Sequence, residues 1–422
     1  MQRPLLRKED KMLRLRFWVV YILTVCLAFG VTNLASAKTL KIAKTGAHCA
    51  DDPKCHNRWH PAIKPVETAE PGDILIYETR DAFDHAFTRN STAADVVAAN
   101  LNLVHPLTGP VFINGAERGD VLAVTLIDIE PDVFGYTVIV PGFGFLRDVF
   151  PNPHIVRWDL NRLEATSPDM PGVRIPFDGF MGTIGVAPGP EEVEIMYKRE
   201  EALRAAGGFV LPPEPKDALP KEVCGPTGTH KDRCLRTIPP RENGGNMDVK
   251  QMQKGTTLLL PCFVKGCLLS IGDVHFAQGD GEVSGTAIEM DATVTVKVEV
   301  RKGLGAFVRQ PHFEGGDQLK QLAPDQFYAT VGFPIKPEGK VVPYNQYLDG
   351  TRIGPLMNLS EDVTLAARDA LLQMIDWLVK NKNMTREQAY TLCSVAVDLR
   401  IGNLVDVPNF AVSAILPLEV FK

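Results

Sequence analysis

Between residues 73 and 300 the apolar positions follow the two-residue period of β-strands. The run 292–300 alternates between apolar and polar residues, as expected of a strand with one face in water. Three further runs are rich in aliphatic and β-branched residues and are bounded by Pro, Gly or Asp: 73–78, 120–130 and 256–263. This part of the chain is therefore predicted to be mainly β.

Helical periodicity appears mainly near the C-terminus. Residues 361–380 place apolar side chains three and four positions apart on one side, with charged and amide side chains opposite. Thr385 and Gln388 match a capping box that begins a second helix. The predicted fold is mainly β over 38–300, followed by an α+β C-terminal portion over 301–422.

Residues 207–238 differ in composition from the rest of the chain. They follow a short helical pattern at 191–206 and are rich in Pro, Lys and Gly. Such a stretch is typical of a surface insert. It could cover the mouth of a site, or it could be surface that the fold merely tolerates.

The first 37 residues have the pattern of a secretory signal peptide. A basic start precedes an uncharged apolar run from Phe17 to about Val31, and Ala35-Ser36-Ala37 follows. An uncleaved membrane anchor is the alternative, but the apolar run is short for a bilayer, which needs about 20 residues. We therefore expect an exported protein, periplasmic or secreted, without stable membrane association after cleavage.

Cleavage would make the chain more acidic. Residues 1–37 hold six of the 45 Lys and Arg side chains and two of the 51 Asp and Glu side chains. Residues 38–422 keep 39 basic and 49 acidic side chains, a formal charge of −10. Binding to nucleic-acid phosphates depends on Lys and Arg, so nucleic acid is not an expected partner.

Cysteine spacing predicts two short-range disulfides. Residues 38–422 contain seven of the eight cysteines. In an oxidising compartment Cys49 is expected to pair with Cys55, and Cys224 with Cys234. The other three stand in apolar surroundings and are predicted to be buried, inert thiols: Cys262, Cys267 and Cys393.

The densest polar cluster is 272–282, Gly-Asp-Val-His-Phe-Ala-Gln-Gly-Asp-Gly-Glu. Asp273 and His275 are two residues apart, so on a strand both project from one face. The later glycines allow a tight turn that would bring Asp280 and Glu282 back toward that face. Carboxylates and an imidazole that converge in this way suit a divalent cation or an acid–base site. A solvated hairpin turn is the alternative, but it gives no reason for so many such groups.

Two further segments carry polar side chains. In 239–248, Asn246 and Asp248 have the same two-residue spacing, and Gly244-Gly245 would let a ligand approach the backbone. Residues 55–60 combine two imidazoles, a guanidinium and an indole. Taken alone, the first could be a Gly-rich loop and the second a packed Trp with polar neighbours.

These segments resemble blocks of the acetamidase/formamidase family. Residues 239–248 resemble its GGN.D block, and 272–282, continued by 285–289, is very close to its GD.H..QGDGE signature. The stretch 108–122 is similar to its GP…V.GA.pGD.L.V block. Three more segments are similar and stand in the same order: HNRWHP at 56–61, 185–188 and the ending at about 399–417.

The resemblance implies hydrolysis of a small linear carboxamide, such as formamide or acetamide, by a β-rich homo-oligomer of the family's own fold. It also implies a divalent metal, for which we expect zinc first and calcium second. Motif position makes Asp248, Asp273, His275, Asp280 and Glu282 the site candidates, with Asn246 beside them. As a hypothesis, we expect Asp248, Asp273 and His275 to bind the metal, Glu282, Asp280 and Asn246 to serve catalysis, and Trp59, His60, Gln278 and Gly245 to bind substrate. Spacing alone leaves open which carboxylates ligate and which transfer protons. The export signal, the cysteines and the insert depart from typical members and leave the natural amide open.

Amidases that use a nucleophilic side chain are the rival within enzymes. The chain has no Gly-x-Ser-x-Gly elbow, and neither Ser270 nor Ser284 has a Lys three residues later. Cys262 and Cys267 stand in apolar strands, which disfavour a thiolate. The sequence therefore favours metal-assisted hydrolysis.

A binding protein is the second class of function. Such a protein would capture small amides, or hold an ion structurally, without turnover. The presence of both Asp280 and Glu282 favours an enzyme, because both could take part in proton transfer. Carbohydrate binding near Trp59 would rest on a single aromatic residue.

Overall fold

The computed structural model describes residues 37–343 and 349–421. The predicted signal peptide, 1–37, lies outside the described residues except for Ala37, so export stays a prediction. Strands hold 31% and helices 20% of the chain, so the prediction of a mainly β protein is confirmed. Helices within the described ranges are all too short or too polar to cross a membrane.

The strands follow the predicted order closely. The strands are β1 (Thr39–Ile42), β2 (Cys55–His56), β3 (Arg58–Trp59), β4 (Glu67–Ala69), β5 (Ile74–Thr79), β6 (Leu107–Ile113), β7 (Val121–Ile139), β8 (His154–Leu160), β9 (Glu164–Thr166), β10 (Arg174–Pro176), β11 (Phe180–Val186), β12 (Leu235–Arg236), β13 (Gly244–Asn246), β14 (Thr257–Pro261), β15 (Leu269–His275), β16 (Glu289–Arg301), β17 (His312–Glu314), β18 (Phe327–Gly332), β19 (Asp398–Asn403) and β20 (Ala411–Pro417). Four of them correspond to the predicted runs: β5 to 73–78, β7 to 120–130, β14 to 256–263 and β16 to 292–300.

The helices include each segment for which the sequence predicts one. They are α1 (Ala93–Ala98), α2 (Pro190–Ala205), α3 (Lys221–Cys224), α4 (Gln318–Gln321), α5 (Gly350–Ile353), α6 (Val363–Lys382) and α7 (Arg386–Ala396). Short 3-10 turns occupy Cys49–Asp51, Leu304–Ala306 and Leu418–Val420.

Fifteen strands form one large sheet, whose main path runs β10-β9-β8-β7-β16-β15-β11-β13. The long strands β7 and β16 are antiparallel neighbours from Val121↔Arg301 to Tyr136↔Glu289. Along β16 the side chains of Val294, Val296 and Val298 are buried while those between them are partly exposed. Each buried Val contributes about 1.5–3 kcal/mol, so the alternation fixes which face of β16 meets the core.

The C-terminal portion is α+β, as predicted. Strands β18, β20 and β19 form a three-stranded antiparallel sheet, and α6 packs against it through buried Leu371, Met374 and Leu378. The predicted polar side of α6, including Gln373, is exposed. Helix α7 begins with the predicted capping box, in which Thr385 Oγ1 accepts a hydrogen bond from the backbone N–H of Gln388 at 3.1 Å.

Helix α7 holds the loop between β15 and β16 in place. The hydroxyl of Tyr390 donates to the carbonyl of Val283, and Ser394 Oγ donates to the carbonyl of Thr286 at 2.7 Å. Gly279 N–H donates to the carbonyl of Ser394 at 2.9 Å. A Cβ at Gly279 would lie 2.2 Å from the carbonyl oxygen of Val397, so only glycine allows this close packing.

The structure confirms the Cys49–Cys55 and Cys224–Cys234 disulfides. It also confirms that Cys393 is a buried free thiol. The prediction of free thiols at Cys262 and Cys267 is wrong, because these two residues form a third disulfide. The turn between β14 and β15 brings their Cα atoms to 4.8 Å, a separation that a disulfide can span.

A charged network joins the chain after β1 to strand β16. His85 Nε2 lies 2.9 Å from both carboxylate oxygens of Asp291, and Lys44 forms an ion pair with the same carboxylate. His85 Nδ1 also contacts the carbonyl of Ala47 at 2.7 Å. The hydrogen bond to Asp291 is the main cause that raises the pKa of His85 to about 9, although partial burial opposes it.

This network should make stability depend on pH. A folded-state pKa of about 9 exceeds the ordinary value of about 6.5, so the stabilisation by His85 is complete below pH 6.5 and is lost as pH rises through 9. We expect the melting temperature to fall more steeply between pH 6.5 and 9.5 in the native protein than in His85→Gln. The exposed His312→Gln variant is the control. Identical slopes in the native protein and His85→Gln would contradict the interpretation.

Candidate active site

Two neighbouring strands bring the first ionisable groups together. Asp273 and His275 lie at the end of β15, whose residues are all buried, and Glu289 of β16 stands opposite His275 in the ladder. His275 Nε2 lies 3.3 Å from Asp273 Oδ1 and 3.2 Å from Glu289 Oε2. Asp273 and His275 therefore converge on one side of β15, as their spacing predicts.

Two loops add further carboxyl groups. Asp248 follows β13, and its ligand atoms lie within 4.8 Å of those of Asp273 and His275. Glu282 comes from the loop between β15 and β16, and it forms a second group of the same size with His275 and Glu289. Four carboxyl groups thus surround one imidazole.

Three of the residues that carry these carboxyl groups have a left-handed backbone conformation. Asp248, Asp273 and Glu282 have φ values of 51°, 52° and 43°, in the left-handed region that non-glycine residues rarely adopt. Such conformations cost about 1–3 kcal/mol each, and they persist where the surrounding structure enforces them. Concentration of this strain in one cluster supports a functional role.

Two further residues contact Asp273 from the opposite side. Thr183 Oγ1, on β11, lies 2.9 Å from Asp273 Oδ2 and 2.8 Å from Asn246 Oδ1. Its single proton can be donated to only one of these oxygens at a time. His105 Nε2 lies 3.6 Å from Asp273 Oδ2. Asp273 is therefore the most heavily surrounded carboxylate of the cluster.

The pKa values of the carboxyl groups are shifted in different directions. Burial alone would raise the pKa of Asp273, but positive charge on His105 and His275 lowers it below the usual range. Burial, together with neighbouring negative charge, raises the pKa of Glu282 and of Glu289 to about 8. At neutral pH these two glutamates are therefore largely protonated in the protein alone.

The pKa values of Asp248 and His275 are raised by the same charged neighbours. Burial and the neighbouring Glu282 raise the pKa of Asp248 well above its ordinary value. Burial would lower the pKa of His275, but Glu289 and Asp273 raise it well above the usual range. The cluster thus retains protons to offset its negative charge, which is a condition that a cation would relieve.

Unsatisfied atoms show that the cluster fits a cation. Among the described residues, Asp248 Oδ1, Glu289 Oε2 and His105 Nδ1 are buried without a hydrogen-bond partner. Glu289 Oε2 lies close to His275 Nε2 but without the alignment of a hydrogen bond. Carboxylate oxygens with an imidazole nitrogen are ligands for zinc, whereas calcium prefers six to eight oxygens. The structure therefore contains candidate metal-binding groups.

The cluster opens into a cavity of about 490 Å³. Asn246, Asp248, Asp273, Glu282 and Glu289 line one side of this cavity. Asp248 and Glu282 are only partly buried because they face it, while Asp273 and His275 lie behind them. A ligand in the cavity would therefore meet Asp248 and Glu282 first.

Gln278 and Gly245 support the site and do not line the cavity. Gln278 Oε1 lies 3.1 Å from His275 Nδ1, and its amide nitrogen donates to the carbonyl of Asp248 at 2.9 Å. Gly245 pairs with Ile184 of β11, and its positive φ of 94° allows the strand to turn toward Asp248. Both residues hold site residues in position.

The other sequence candidates lie outside the cavity lining. Asp280 accepts a hydrogen bond from Gln251, and its backbone N–H donates to the carboxylate of Asp398. Trp59 pairs through β3 with β12 and packs in an apolar cluster, and His60 stacks on His230 at 4.2 Å between ring centroids. The structure thus gives these side chains packing roles.

The candidate nucleophiles also make contacts outside the cavity lining. Ser270 Oγ lies 2.8 Å from His56 Nε2, but both side chains are fully buried and neither lines the cavity. Ser284 Oγ donates to the carbonyl of Val138 at 3.3 Å. Cys262 and Cys267 are joined to each other. These contacts give no support to a covalent mechanism at these positions.

Sequence reasoning missed Glu289, His105 and Thr183. Glu289 is the first residue of the alternating strand β16, and pairing β15 with β16 in register would have placed it opposite His275. His105 and Thr183 carry weaker signals, since each stands alone in an apolar segment. Their positions depend on long-range pairing that local patterns do not specify.

Comparison with known proteins agrees with this geometry. The family model described as Acetamidase/Formamidase family matches residues 41–422. This chain belongs to that family. Acetamidase from Mycolicibacterium smegmatis is 35% identical over 80% of this chain and 84% of its own length. Formamidase from Methylophilus methylotrophus is 32% identical over 88% of this chain and 90% of its own length.

A solved structure supports the same assignment. The γ-lactamase from Delftia acidovorans is 32% identical and has a TM-score of 0.81, covering 91% of this chain and 93% of its own. The acetamidase/formamidase-like fold predicted from the sequence is thus confirmed, and the chain is an amidase.

Substitution of Gly182 tests whether activity depends on the positions of Asp273 and His275. A Cβ at Gly182 would lie 2.6 Å from the carbonyl oxygen of Asp273 and 2.8 Å from His275 Nε2. We expect Gly182→Ala to lower kcat/KM for amide hydrolysis about 100-fold or more, because small displacements of catalytic groups carry losses of this size. Gly316→Ala is the control, since its Cβ would meet only Gln318 Oε1 at 3.8 Å. Near-native activity in folded Gly182→Ala would contradict the importance of this spacing.

Proposed function

We propose that this protein hydrolyses a linear carboxamide to a carboxylate and ammonia, with a divalent metal ion and a carboxylate proton shuttle. The observation that carries the proposal is the position of Glu282. Its carboxyl group faces the cavity beside a buried group of candidate metal ligands, and burial together with neighbouring negative charge raises its pKa to about 8. A pKa near the working pH suits a group that both accepts and returns a proton.

Asp248, Asp273 and His275 would hold the ion, with Glu289 and His105 beside them. Gln278 Oε1 can accept the Nδ1 proton of His275, and loss of the Nε2 proton on binding would make Nε2 a ligand. Zinc is the metal that this nitrogen and oxygen set favours. When bound, the ion would supply a Lewis acid that polarises the amide carbonyl and acidifies a water molecule.

The chain's own residues would carry the proton transfers. Glu282 takes a proton from the attacking water and returns it to the departing nitrogen, which converts a poor leaving group into ammonia. Thr183 holds Asp273 in place when its hydroxyl donates to that carboxylate, and Asn246 contacts the same hydroxyl. Asn246 also lines the cavity, and we propose that it orients the amide.

Removal of the proton shuttle tests this assignment. Glu282→Gln keeps the shape of the side chain but cannot accept a proton, so we expect kcat to fall about 10²–10⁴-fold. Asp280→Asn is the matched comparison, because Asp280 lies in the same loop but outside the cavity. Equal losses in the two variants, or near-native activity of Glu282→Gln, would exclude Glu282 as the shuttle.

The metal is tested by ammonia release from residues 38–422. We expect turnover of formamide, acetamide or a larger linear amide that is lost after chelation and restored by zinc. Turnover that survives complete removal of metal would exclude metal assistance. Metal-loaded protein that binds amides, as measured by a rise in melting temperature, but never releases ammonia would be a binding protein.

A cyclic amide is the second candidate substrate. The observation that favours it is the similarity in sequence and fold to the Delftia acidovorans γ-lactamase. Opening of a lactam ring releases no ammonia, because the amine stays attached to the product. Detection of the amino acid product therefore distinguishes this activity from linear amide hydrolysis.

We also propose export and assembly as a homo-oligomer. Three disulfides in the described residues support an oxidising compartment. The predicted signal peptide gives the route. N-terminal sequencing of the exported protein would test cleavage after Ala37, and its mass in solution would give the number of subunits.

A further inference from the structure

The cavity beyond the carboxyl groups is far larger than formamide or acetamide. Its volume of about 490 Å³ is within the range of about 300–1,000 Å³ that is common for pockets binding drug-sized ligands. A single water molecule occupies about 30 Å³ of liquid, and these amides have only a few non-hydrogen atoms. A small amide would therefore leave most of the cavity to water.

The walls away from the carboxyl groups are mainly apolar. Side chains of the loops around β5, β6 and β7 form this surface: Phe83, Val104, Val140, Phe143 and Phe145. The carboxyl groups lie together, with Asp248 and Glu282 facing the cavity, while the guanidinium of Arg147 lies beside Phe209. A ligand that matches this distribution has an amide at one end and an apolar body at the other.

The insert at 207–238 forms part of this wall. Phe209 and Ile238, near its two ends, both line the cavity. The ring of Phe209 is 56% exposed, and the guanidinium of Arg147 lies 5.7 Å from its centroid across the rim. An apolar group bound in the cavity would cover the exposed face of Phe209, which is a favourable change.

We propose that the substrate of this site is a carboxamide with a bulky apolar acyl group, aryl or branched alkyl, whose far end binds against Phe209. This inference rests on the proposed hydrolysis of amides and adds the class of acyl group. The carboxyl cluster receives the amide, and the apolar wall receives the acyl body. The insert thereby takes part in the choice of substrate.

The test compares phenylacetamide with acetamide, by ammonia release from the metal-loaded protein. We expect kcat/KM to be at least about 10-fold higher for phenylacetamide, since each well-packed apolar group can give a factor of this size. Phe209→Ala should lower the phenylacetamide-to-acetamide ratio about 10-fold. Phe307→Ala is the control, because Phe307 is 79% exposed and lies outside the cavity lining. It should leave both values within about twofold.

Each outcome decides between the two proposals. A phenylacetamide-to-acetamide ratio of one or less, with clear turnover of acetamide, would overturn the inference and leave amide hydrolysis standing. An unchanged ratio in Phe209→Ala would overturn the role of the insert. If neither amide is hydrolysed, the proposed function fails. The rise in melting temperature on adding each amide then tests whether the cavity binds an apolar group. A larger shift with phenylacetamide, reduced in Phe209→Ala, supports the apolar site, and equal shifts overturn it.

Discussion

Electrostatic crowding in a buried space is the constraint on which this site depends. Four carboxyl groups surround His275, and their mutual repulsion and burial would be unfavourable if all were ionised. Protons on Glu282 and Glu289 relieve the repulsion in the protein alone. A bound cation could replace those protons, so the proposed metal binding and the proposed proton transfer by Glu282 both depend on this crowding.

The fold must hold these groups together against that repulsion. Ladder hydrogen bonds of β15 with β11 and β16 fix Asp273, His275 and Glu289. Helix α7 fixes Glu282 indirectly, because Tyr390 and Ser394 bind the loop that carries it. The C-terminal portion, none of whose described residues lines the cavity, is therefore needed for the site geometry.

The sequence predicts local structure well because its signals are local. Alternation in β16 and the capping box of α7 depend on near neighbours, and both are present in the structure. Asp273 and His275 lie on the same side of β15 because side chains two residues apart on a strand point the same way. Asp280 was expected on the same side, but it lies outside the cavity lining, because a long-range contact of its loop with Asp398 sets its direction. Glu289 was missed for the same reason, since only strand pairing brings it opposite His275.

The two ends of the cavity differ in how they are built. The carboxyl end is held by β-strands of the large sheet, whose positions are coupled through many hydrogen bonds. The apolar end is built from loops and from the insert, which tolerate substitution because fewer contacts depend on them. A change at Phe209 can therefore alter the space for an acyl group without displacing Asp273 or His275.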